Sequence, residues 1–181
     1  MIWNLTSKLI EHSQQLRAKL FGPVLQRAGV TATQLTLTSF ACGIISVAFF
    51  KSPLLFTLFG AAHILLDALD GVVARATEAT EQGRYIDWIS DQIATILLMF
   101  AITQAEPAQF NKVITILYVT YISLFFLSSM RIPPMSARTA LFVSSFAGFY
   151  QLGMSIALII TLYGYATAYH QTFFSPKTYA R

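Results

Sequence analysis

Apolar runs of helical length, separated by short polar, glycine or proline stretches, dominate this chain and predict a protein built of helices. Residues 2–21 place Ile2, Leu5, Leu9, Leu16 and Leu20 at helical spacing, with Lys8, Glu11, Gln15 and Lys19 largely elsewhere around the wheel. This pattern predicts an interfacial helix lying on a membrane with Trp3 at headgroup level; a soluble amphipathic helix packed on the rest of the protein is the alternative. Gly22-Pro23 interrupts it, and Gly29 marks a further break. Residues 33–50 are uncharged and end at Lys51-Ser52-Pro53, which predicts a first span. The next apolar run, from Leu54, lasts only to Leu66 before Asp67. That is short of the roughly 20 residues a span requires, so the second helix is predicted to continue to residue 75.

A polar stretch, 76–83, predicts a short loop, and 84–104 predicts a third span closed by Glu106-Pro107. Residues 113–130 predict a fourth, followed by a basic, helix-breaking connection with Arg131, Pro133-Pro134 and Arg138. Residues 139–170 contain no proline and would reach about 48 Å as a helix. Two spans with a break near Gly148 or Gly153 are expected there, the alternative being one long, protruding helix. The predicted fold is an all-α integral membrane protein: one membrane domain over 1–181, with an N-terminal interfacial helix and about six transmembrane helices.

Composition agrees: of 181 residues, 55% are hydrophobic and 11% charged, with a mean hydropathy of +0.60. A soluble domain carries about 25% charged residues. The net charge of +4 does not point to nucleic acid, because the basic residues flank apolar runs and so suit anionic lipid headgroups. With the N-terminus cytoplasmic, the inner side collects the basic residues from Lys8 to Arg27 together with Arg75, Arg84, Arg131 and Arg138, and the outer loops hold Lys51 and Lys112. Six spans would add Lys177 and Arg181 to the inner group. The first 22 residues lack a continuous apolar core, so no cleavable signal peptide is expected. The single cysteine, Cys42, lies in an apolar run and is expected to be a small buried residue.

One stretch departs from this apolar background. Residues 67–91 hold six of the eight acidic residues, including every aspartate. Asp67 and Asp70 stand three apart, and Asp87 and Asp91 four apart, so each pair projects from one face of its helix. Two such helices facing each other would make a four-carboxylate cluster at the cytoplasmic membrane surface. An all-oxygen donor set suits hard divalent cations such as magnesium or manganese. An ion-pair network with Arg75 and Arg84 is the alternative, but two arginines do not neutralise four aspartates. A pair of divalent cations does, and paired metals commonly bridge a phosphate or pyrophosphate during phosphoryl transfer.

The spacing Asp67-x2-Asp70-Gly71-x2-Ala74-Arg75, then Gly83-x3-Asp87-x3-Asp91, closely resembles the signature of the CDP-alcohol phosphotransferases. All eight defining residues are present in order, with seven rather than eight residues between Arg75 and Gly83, a length the family's pattern also allows. The segment Thr31-Ala32-Thr33-Gln34-Leu35-Thr36 looks like the family's T-P-N-x-L-T element, with Ala32 and Thr33 in place of the Pro-Asn pair. The resemblance covers residues 30–138. It implies a six-helix, often dimeric membrane enzyme with its site open to the cytoplasm, in a bacterial-type inner membrane. It further implies transfer of a phosphatidyl group from a CDP-linked lipid to an alcohol, with release of CMP. By the same resemblance Asp67, Asp70 and Asp87 ligate two cations, Mg2+ or Mn2+, and Asp91 contributes to that site while serving as the base. Gly71, Ala74 and Gly83 let the CDP moiety approach the helices, and Arg75 lies near the diphosphate. Arg131 and Arg138 are candidates for the phosphate of an acceptor such as glycerol 3-phosphate, the leading choice, or inositol phosphate; serine or another alcohol remains open.

His63 is expected to line a helix contact, Trp88 to anchor at the interface, and Glu78 and Glu81 to be solvated. Three rival classes stand beside this reading, a non-enzymatic membrane scaffold among them. A cation transporter would spread its carboxylates through the membrane depth, whereas these gather near one side. A membrane prenyltransferase would carry two separated aspartate-rich motifs and lacks the linked DG-x2-AR element.

Overall fold

A computed structural model describes residues 27, 29–76, 80–128 and 137–174. The expected interfacial helix at 2–21, the Gly22-Pro23 break, Glu78, Arg131, Pro133-Pro134, Lys177 and Arg181 lie outside them. Among the described residues the chain forms six helices and no strand: α1 (Ala32–Ala48), α2 (Pro53–Ala76), α3 (Glu81–Ala105), α4 (Gln109–Ser128), α5 (Arg138–Phe146) and α6 (Tyr150–Phe174). Four are long and apolar enough to cross a membrane, over Pro53–Arg75, Glu81–Ala105, Gln109–Leu127 and Tyr150–Tyr169, and α1 is a shorter apolar helix. Leu54, Leu58, Leu65, Ile116, Leu127 and Ile159 are well exposed on these helices. A soluble surface would hide such residues; a bilayer covers them. The chain is an integral membrane protein.

Helix boundaries follow local chemistry. Thr31 caps α1 with a reciprocal box: its hydroxyl accepts from the Gln34 N–H at 3.2 Å, and Gln34 Oε1 accepts from the Thr31 N–H at 3.0 Å. Pro53 opens α2, where its missing N–H costs nothing. At α3, the Thr80 hydroxyl accepts from the Gly83 N–H at 3.0 Å, so the helix starts at Glu81 rather than the expected residue 84. Gly83, read from sequence as the end of a loop, therefore sits in the first turn. The expected break in 139–170 falls at Gly148, which adopts φ +74, a conformation that disfavours other residues. Its two sides are unequal: α5 has nine residues, about 14 Å of helix, whereas α6 has 25.

Two compact units divide after Asp91. In the first, α1 and α2 pack along their length through three polar links. The Thr36 hydroxyl donates to Asp70 Oδ2 at 2.8 Å. The Ser39 hydroxyl donates to the His63 carbonyl at 2.8 Å, and the Ser39 carbonyl lies 2.8 Å from His63 Nδ1. The Ser46 hydroxyl donates to the Phe56 carbonyl at 2.7 Å. The α2 partners recur every seventh residue, the repeat that keeps one helix face against its neighbour. Gly43 lies between the serines, where an added Cβ would stand 3.2 Å from the His63 ring. Small residues thus let the two helices approach until hydroxyls reach across.

The second unit holds the rest of α3 with α4, α5 and α6. Tyr118 donates to Gln92 Oε1 at 2.6 Å, and the Thr103 and Thr115 hydroxyls lie 3.0 Å apart, tying α3 to α4. The Tyr165 hydroxyl donates to the Leu117 carbonyl at 3.2 Å, and its ring packs 5.4 Å from that of Tyr121, tying α6 to α4. Gly164 makes this approach possible, since a Cβ there would overlap the Tyr121 ring.

Candidate active site

The signature aspartates lie on the last turns of α2 and the first turns of α3. The helical spacing brings one carboxylate oxygen each from Asp67, Asp87 and Asp91 to within 4.8 Å of one another, all three side chains being half-buried. At that distance two ionised carboxylates repel by roughly 3.5 kcal/mol at an effective dielectric of about 20. Three such groups need a counter-charge, and their oxygen-only donor set fits a hard divalent cation. Asp70 lies within electrostatic reach of Asp87 and Asp67 but is not one of the three whose oxygens close up. It is 6% exposed and turned toward α1, where the Thr36 hydroxyl supplies a donor that offsets its burial. Oxygens of three of the four signature carboxylates thus close up on one another, while Asp70 is bonded to α1.

A cavity of about 460 Å³ opens beside them, within the range of small-molecule sites. Asp70, Gly71, Ala74 and Arg75 line it from α2, and Gly83, Arg84 and Asp87 from α3, beside the Thr80 cap. The start of α1 supplies Thr31, Ala32, Thr33 and Thr36. Every residue the signature assigned to the CDP moiety thus borders one cavity. Asp87 belongs both to its wall and to the carboxylate trio.

Gly83 is confined twice over, since an added Cβ would lie 3.1 Å from Thr80 Oγ1 and 3.9 Å from Thr33 Oγ1. The starts of α1 and α3 are that close. At Gly71 an added Cβ would meet the Arg75 guanidinium at 3.5 Å, so bulk there would enter the space between helix and arginine. Among the described residues neither Arg75 nor Arg84 makes an ion pair or a side-chain hydrogen bond. The ion-pair network that the sequence left open is absent among those residues.

Sequence reasoning passed over several of these residues. Thr31, Thr33 and Thr36 lie in the segment singled out before the first span, but only the fold shows that they line the cavity. Arg84 enters the sequence reading only through topology and the alternative ion-pair network; its signal is its place next to Gly83. His63, one turn before Asp67, faces α1 and meets Ser39. Trp88 is half-buried, with its ring 6.2 Å from that of Tyr85. Arg138 opens α5 and is 6% exposed.

Carboxylates from consecutive helices thus converge beside a cavity that two arginines also border. The chain belongs to the CDP-alcohol phosphatidyltransferase family, which matches residues 29–175. It is also 34% identical over 91 residues to the Escherichia coli (strain K12) protein called inner membrane protein YnjF. That match takes in 48% of this chain and 43% of the relative, so the chain spans less than half the length of the curated relative it matches.

Proposed function

We propose that this protein transfers a phosphatidyl group from a CDP-linked lipid to an alcohol and releases CMP. The observation that carries this reading is the joint placement of the signature: Asp87 is shared by the carboxylate trio and by the cavity that Gly71, Ala74, Arg75 and Gly83 border. Asp67, Asp87 and Asp91 would hold a divalent cation, Mg2+ or Mn2+, with Asp70 completing a two-ion site. When bound, the ions neutralise the phosphates and stabilise charge on the departing group.

The chain's own residues account for the remaining work. The small residues Gly71, Ala74 and Gly83 leave room for the nucleotide against the helices, and Arg75 binds the diphosphate. The acceptor's hydroxyl oxygen attacks the β-phosphorus, and the Asp91 carboxylate takes the hydroxyl proton. The bond from the β-phosphorus to the bridging oxygen breaks, and its electron pair leaves with CMP. Glycerol 3-phosphate is the proposed acceptor, its phosphate meeting Arg131 and Arg138. The positive-inside distribution supports a site facing the cytoplasm in a bacterial-type inner membrane, and the protein is proposed to act as a homodimer.

The test is CMP release by purified protein given CDP-diacylglycerol, Mg2+ and, in turn, glycerol 3-phosphate, inositol phosphate and serine. Release with one acceptor is expected, and folded Asp91→Asn protein should lose about 10²-fold or more in rate. Wild-type turnover by Asp91→Asn would remove the base assignment. Absence of CMP release with every acceptor and every CDP-alcohol donor would end the whole reading.

A further inference from the structure

Arg84 lies outside the signature, yet it borders the same cavity as Arg75. The two guanidinium groups come from different helices, Arg75 from the last turn of α2 and Arg84 from the first turn of α3. Neither is committed to a carboxylate or carbonyl among the described residues, although Asp70 and Asp87 border the same space. A planar guanidinium matches phosphate oxygens in a bidentate way. The start of α3 adds the positive end of its helix dipole on the same side. Two separated cationic groups suit a ligand with two adjacent phosphates better than a ligand with one.

We propose that Arg84 is a second diphosphate-binding residue and that the Arg75–Arg84 pair makes the cavity discriminate a nucleoside diphosphate from the corresponding monophosphate. Resting on the CDP-linked donor proposed above, this gives the pair a role in turnover. The donor's diphosphate engages both arginines. The released CMP, with one phosphate, keeps only one of them and dissociates more readily. Arg84 is exposed and makes no described side-chain contact that its replacement would break, so Arg84→Gln should fold normally.

The experiment is titration of detergent-purified full-length protein with CDP, CMP and cytidine at fixed low salt, for wild type, Arg84→Gln and Arg84→Lys, with thermal unfolding as a check on folding. Wild type is expected to bind CDP more tightly than CMP. Arg84→Gln should weaken CDP about tenfold while changing CMP and cytidine by less than about threefold, collapsing the CDP-to-CMP ratio. Arg84→Lys keeps the charge without the fork and should fall between. Unchanged CDP affinity in Arg84→Gln, or equal losses for CDP and CMP, overturns the Arg84 role and leaves the proposed function standing. The same holds if Arg84→Gln raises only the KM for the acceptor. Absence of CDP binding by wild type overturns both.

Discussion

Replacing Thr36 with valine isolates one hydroxyl at the heart of the site. Valine keeps the branched shape of threonine, so the change removes the donor to Asp70 Oδ2 without opening a cavity. Both residues are 6% exposed, and the bond is 2.8 Å long. Loss of a hydrogen bond to a charged acceptor costs about 1.5–3 kcal/mol. The Thr36 hydroxyl also lies 3.1 Å from the Ala32 carbonyl, so its single proton is shared and the lower end, about 1.5 kcal/mol, is the better figure. With about 1.4 kcal/mol per tenfold change, Thr36→Val should slow CMP release about tenfold if Asp70 is held in its working orientation by this bond. The unfolding midpoint in the same detergent should fall by about 3–6 °C. Thr36→Ser, which keeps the hydroxyl, should recover most of the rate. Wild-type turnover by Thr36→Val would refute the link between this hydrogen bond and the site, as would equal losses in the serine and valine variants.

Two further outcomes follow from the geometry. Chelation with EDTA should abolish CMP release, and added Mg2+ or Mn2+ should restore it; full activity in chelator would remove the metal role of Asp67, Asp87 and Asp91. Gly164→Ala should destabilise the protein by about 1–3 kcal/mol because the new methyl meets the buried Tyr121 ring. Gly153→Ala should cost less, since its nearest neighbour is the Ser144 hydroxyl, which can rotate away. Thermal unfolding of the pair checks the order, and a larger loss for Gly153→Ala would contradict the packing described.

The helices and the signature were readable in sequence because they depend on short-range pattern. Apolar run length located α2, α3 and α4, and spacings of three and four placed the aspartate pairs on helix faces. What escaped depended on contacts between distant positions. Thr36 meets Asp70 across 34 residues, and a threonine in an apolar run carries no local sign of that partner. That Asp70 takes a donor from α1 while oxygens of Asp67, Asp87 and Asp91 close up on one another has the same origin. The early start of α3 rests on a single cap, Thr80, without the glutamate or glutamine at the third position that would have completed a recognisable box. In residues 139–170 the glycine marked the break, whereas uniform apolarity concealed how unequal the two sides are.

The ladder joining α1 to α2 bears on how the protein enters its membrane. Taken alone, each helix would carry polar groups into hydrocarbon: hydroxyls from Ser39 and Ser46 on one and the His63 imidazole on the other. Paired, these groups largely satisfy one another. The connection from α1 to α2 is only four residues, 49–52, short enough to close the pair as soon as both helices exist. The unit that partitions favourably into the bilayer is therefore the hairpin, and most of the cavity wall is assembled by the same event that inserts the chain.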